Sequence, residues 1–89
     1  MAMRVLELRE LTRRETPIHY IREYTAVASL EAPGGLRREV SVAFTLEQKP
    51  LGPPDISVRI LDPIDWPLLP VVRALRERLA LLDREGRLT

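Results

Sequence analysis

The chain has 89 residues, 14 basic and 13 acidic side chains, and no cysteine. A chain this short buries only roughly 60–65% of its unfolded surface, so it supports one domain with a thin core. Lack of cysteine excludes disulfides and thiolate metal sites, and no apolar run approaches the ~18 residues of a membrane-spanning helix.

The balanced charge is shared by both halves, so no broad basic excess of the kind that neutralises phosphates is present, and nucleic acid is not the expected partner. The first residues, Met1-Ala2-Met3-Arg4-Val5-Leu6-Glu7, meet acidic charge at once and lack the apolar core of a secretory signal. A cytoplasmic location is the default expectation.

Residues 3–15 read two ways. Val5, Leu8 and Leu11 lie three apart, which suits a short helix. Leu6 and Leu8 also alternate with Glu7 and Arg9, which suits a strand, although neither strand face is cleanly apolar. The strand is preferred because it widens a small sheet.

The organising stretch is Ile18 to Gln48, expected to form two long strands. In the first, Ile18, Tyr20, Tyr24, Ala26, Ala28 and Leu30 recur at period two. A single helical turn over 17–22 is the alternative for its beginning, because Thr16-Pro17 resembles a cap and first-turn proline. Ala32-Pro33-Gly34-Gly35 is the tight connection. In the second strand, Leu36, Arg38, Val40, Val42, Phe44 and Leu46 share one side, and Arg37, Glu39, Ser41, Ala43, Thr45 and Glu47 share the other. Strands this long twist, so a bulge near Ala28 or Arg38 is expected.

Lys49-Pro50-Leu51-Gly52-Pro53-Pro54 stops the ladder, since proline donates no backbone hydrogen bond. A short strand follows from Asp55 to Leu61. Asp62 and Asp65 then offer caps for a helix that starts between Asp65 and Leu69 and ends at Glu85-Gly86. Leu68, Val71, Val72, Leu75, Leu79 and Leu82 form its apolar stripe. Arg87-Leu88-Thr89 is expected to fray. The fold class is therefore α+β: an antiparallel sheet of three or four strands built on a long hairpin, with one face covered by a C-terminal helix. The element order is β-β-β-β-α, or α-β-β-β-α if the first segment is helical.

Residues able to carry chemistry are few. His19 is the only histidine. On a strand, Glu23 would sit about 13 Å away on the same face, and the two meet only on a helical turn. Asp55, Asp62 and Asp65 match no calcium-loop spacing. No catalytic residue, cofactor or metal is assigned, and the chain is expected to be non-enzymatic.

Tyr20, Tyr24, Trp66, Arg37 and Arg38 are the candidate partner-binding residues, because Tyr, Trp and Arg dominate interface hot spots. Ile21, Val27, Ala43 and Leu61 have the parity opposite to the helix-covered side, and Leu51 lies in a linker. This apolar surplus is expected to be covered by self-association, through the open face or an edge strand. The expected function is a protein–protein interaction or assembly module, with a homodimer or another protein as partner. Two alternatives stay open. Arg13, Arg14, Arg37, Arg38 and Arg73 could converge on nucleic acid, or a small enzyme site with His19 could lie at a subunit boundary.

Overall fold

The computed structural model describes residues 3–88. The elements are β1 (Arg4–Arg14), β2 (Ile21–Glu31), β3 (Arg37–Glu47), β4 (Asp55–Ile60) and α1 (Leu68–Arg84). The four strands form one antiparallel sheet in the order β1-β2-β3-β4, and α1 covers one face. Residues 3–15 thus take the strand form, and the helical alternative falls.

β2 and β3 are the centre. Their register is unbroken from Ile21↔Glu47 to Glu31↔Arg37. Alternation sends Tyr24, Ala26, Ala28 and Leu30 of β2, and Val40, Val42, Phe44 and Leu46 of β3, into the core under the helix. Tyr24 and Phe44 lie opposite each other with ring centroids 5.0 Å apart. The helix contributes Val71, Leu75 and Leu79, all fully buried. At the hairpin, Gly35 N–H donates to the Ala32 carbonyl at 3.1 Å. Pro33 takes the second place of that turn and Gly34 the third, at φ 91°, which is the type II pattern.

Bulges occur in β1, not near Ala28 or Arg38 as expected. The β1–β2 register slips between Val5 and Glu7 and again between Arg9 and Thr12. Each slip inserts one residue and switches parity. That is how a strand with no clean alternation still turns Met3, Val5 and Leu8 to the core and keeps Glu7 and Arg9 on the other face. Glu10 carries the second slip at φ 54°, a left-handed backbone rare outside glycine.

The strand expected from Ile18 begins later, at Ile21. Ile18 to Tyr20 belong to a turn in which Ile21 N–H donates to the Ile18 carbonyl, so residues 17–22 do not form a helical turn.

The helix approach differs from expectation in its chemistry. Pro67 is the N-cap residue, no side chain caps the helix, and its first turn holds no acid. Asp62 instead caps the sheet. Where β4 leaves, the Leu61 N–H donates to the Ser41 carbonyl at 2.8 Å, and the Ser41 N–H donates to Asp62 Oδ2 at 2.7 Å. The carboxylate satisfies the β3 group that the departing strand would leave unpaired.

At the other end, Gly86 at φ 72° closes a Schellman turn. Its N–H donates to the Asp83 carbonyl at 3.0 Å, and Arg87 N–H donates to the Leu82 carbonyl at 2.9 Å. The chain then folds back, so Leu88 is buried and not frayed; Thr89 lies outside the described residues.

Candidate interaction surface

The sheet face away from α1 is uncovered. Its half with the hairpin carries a lattice of opposite charges. Glu31 pairs with Arg4 at 3.6 Å and with Arg37 at 3.4 Å. Arg9 pairs with Glu7 at 3.3 Å and also with Glu39. Ser29 hydroxyl donates to Glu39 at 3.4 Å. Alternation placed these residues on one face, and the β1 bulges brought Glu7 and Arg9 into line with them. The other half is a shallow depression of about 310 Å³ lined by Arg14, Glu23, Ala43, Thr45, Ser57 and Arg59, among others.

This charge pattern changes the reading of the apolar surplus. Ile21, Val27 and Ala43 do lie on the uncovered side, but half-buried among charged and hydroxyl neighbours. Leu51 and Leu61 are exposed in connections. The open face is therefore no continuous apolar patch, and the case for face-to-face packing loses its basis.

The edges differ from each other. β4 is six residues long, enters from Pro53-Pro54, and lies under α1, which packs more closely over β4 than over β1. Proline and shortness blunt such an edge. β1 runs for 11 residues, and its outer side has no partner strand among the described residues. Between that edge and α1 lies a groove of about 520 Å³. Met3, Val5 and Leu6 supply one wall, Ala74 and Leu81 the other, with Arg4, Glu77 and Arg78 at the rim. Leu81 and Leu11 stay 38% and 40% exposed, the first in the groove and the second further along the same strand edge. An unpaired strand edge beside a helix flank offers main-chain hydrogen bonds and apolar pockets together, which is the geometry that accepts an added strand.

The sequence-predicted partner residues do not gather into one patch. Tyr24 is 1% exposed and stacks on Phe44, so it belongs to the core. Tyr20 is 55% exposed, beside the β3–β4 connection, where its carbonyl accepts from Gln48 N–H at 2.7 Å. Arg37, Arg38 and Trp66 sit toward the opposite end of the sheet. Arg37 lies on the open face with Glu31, whereas the Arg38 guanidinium stacks over the Trp66 ring at 5.8 Å. Consecutive strand residues point to opposite faces, so Arg37 and Arg38 cannot serve one surface.

The arginines named for nucleic acid are scattered likewise. Arg14 is on the open face near the β1–β2 connection, Arg37 is at the hairpin end, and Arg73 is on the helix.

The three aspartates also go separate ways. Asp55 pairs with Lys49 at 2.8 Å, Asp62 holds Ser41, and Asp65 is exposed. The hydrogen bond from Lys49 to Asp55 raises the Lys49 pKa. Among the described residues, no three His, Asp or Glu side chains converge as metal ligands. His19 is exposed in the turn before β2.

One polar cluster was invisible in the sequence. Arg22 donates to Asp83 Oδ1 at 2.8 Å, to the Leu88 carbonyl at 3.4 Å and to the Tyr24 hydroxyl at 3.5 Å. The hydrogen bond to Asp83 raises the Arg22 pKa, so the guanidinium stays charged throughout the accessible range. It pins the end of α1 to the start of β2. The sequence signal was Arg22 itself, the one charge in the apolar set of β2.

A protein-family model, that of the BB_0187 family, matches residues 1–84. The chain belongs to this family. No curated protein and no solved structure matches it. The family match runs from the start of the chain to Arg84, the last helical residue, and so takes in all four strands and the helix. The groove of this family member lies wholly within the matched residues.

Proposed function

We propose that this chain is a non-enzymatic protein-interaction module that self-associates. The reading rests on one observation: an 11-residue edge strand with its outer side unpaired runs beside a groove whose walls are largely apolar. An edge of this length is a template for pairing with another chain. The thin core adds a reason, since pairing hides apolar surface that 89 residues cannot cover alone. The charged side chains on the open face keep association away from that face and direct it to the edge.

Solution mass by light scattering across a dilution series tests this. A mass of twice the protomer that falls on dilution is the expected result. A strict protomer mass at every concentration from millimolar to micromolar would refute self-association.

A further inference from the structure

The β1 edge is self-complementary. Between its two bulges lies one regular segment, Glu7-Leu8-Arg9, paired to Ser29, Ala28 and Val27 of β2. Glu7 and Arg9 carry opposite charges and lie on the same face, one on each side of Leu8. A two-fold axis through Leu8 would set Glu7 opposite Arg9 of a second copy, and Arg9 opposite its Glu7. Moving the axis to Glu7 or to Arg9 would place like charges on it.

The flanks fit the same axis. Counting outward from Leu8, Leu6 meets Glu10 and Val5 meets Leu11. Leu6 occupies the first bulge and Glu10 the second, so the two irregularities fall opposite one another and the strands stay in step. Leu11, 40% exposed in the protomer, arrives beside Val5, which lines the groove. The symmetry repeats this contact, as an isologous interface requires.

We propose that a second copy of this chain occupies the β1 edge, pairing antiparallel about Leu8 to make a continuous eight-stranded sheet, with each Leu11 filling the partner's groove at Val5. This rests on the self-association reading and adds its register. Opposite charges facing each other across a strand pair attract, and like charges in the same place repel. Glu7 and Arg9 thereby select the register.

The test uses the full chain and two charge reversals. In Glu7→Arg, each arginine at position 7 faces Arg9 of the second copy. In Arg9→Glu, glutamates face each other. Each variant alone is expected to dimerise about tenfold more weakly or worse, and an equimolar mixture to recover the wild-type mass, because both contacts then join opposite charges. Recovery on mixing also shows that both variants are folded.

Since the chain has no cysteine, Leu8→Cys gives a second readout. Directly opposed residues have Cα atoms about 4.5–5.5 Å apart, within disulfide range, so mild oxidation should cross-link this variant. Leu11→Cys, far from its own counterpart, should not cross-link. A wild-type dimer that survives both reversals, or cross-linking of Leu11→Cys as readily as Leu8→Cys, overturns the register and leaves self-association standing. A monomeric wild type overturns both and assigns the edge to a different protein's strand.

Discussion

Leu75 is the position where the packing argument is most exposed to refutation. It is 0% exposed and sits mid-helix between Val71 and Leu79, facing the buried residues of β2 and β3. Leu75→Ala removes three carbons, worth about 0.8 kcal/mol each on transfer from water, or about 2.4 kcal/mol. If the core does not collapse, a void of about 75 Å³ remains, adding up to about 1.8 kcal/mol at ~24 cal/mol per Å³.

The expected loss is therefore about 2.5–4 kcal/mol, against a total stability of about 4–13 kcal/mol for a chain of this size. That corresponds to a fall in Tm of about 10–30 °C. Thermal and urea unfolding followed by circular dichroism would measure it, at one fixed protomer concentration because association contributes. Leu81→Ala is the matched control. Leu81 is on the same helix but 38% exposed at the groove, so its loss should stay below about 1 kcal/mol. Equal losses at the two positions would refute the claim that the Val71–Leu75–Leu79 stripe is the core side of the helix.

The Arg22 clasp predicts coupling across 61 residues of sequence. Arg22→Met strips partners from Asp83, the Leu88 carbonyl and the Tyr24 hydroxyl, and should cost about 1–3 kcal/mol. With Asp83→Leu added, the double variant should lose less than the sum of the singles, since each single leaves a partly buried group without its partner; strict additivity would deny the contact. Gly86→Ala should cost about 1–2 kcal/mol, although a methyl group there meets no atom within 4 Å, because φ 72° penalises any side chain. An unchanged Tm would show that the Schellman turn does not hold that conformation in solution.

The central hairpin, its turn and the helix were legible in the residues alone. In each, one local rule suffices. Period two from Val40 to Leu46 admits only one covered face, Pro33-Gly34 fits one turn type, and Leu75 and Leu79 fix the helix stripe. These signals survive without knowledge of neighbours because they arise from backbone geometry within a few residues.

Contacts between distant segments settled the rest. The face of each β1 residue depended on where the strand bulged against β2, and a one-residue slip reverses every later side chain. Asp62 could cap a helix or a sheet edge, and the choice followed from where β4 departed from Ser41, 21 positions earlier in the chain. Leu88 is held in place because Arg22, 66 residues away, donates a hydrogen bond to its carbonyl. The interaction edge also emerged only in three dimensions. Glu7, Leu8 and Arg9 read as an ordinary mixed run until the sheet order left them on an open edge, regular between two bulges, with the helix wall beside them.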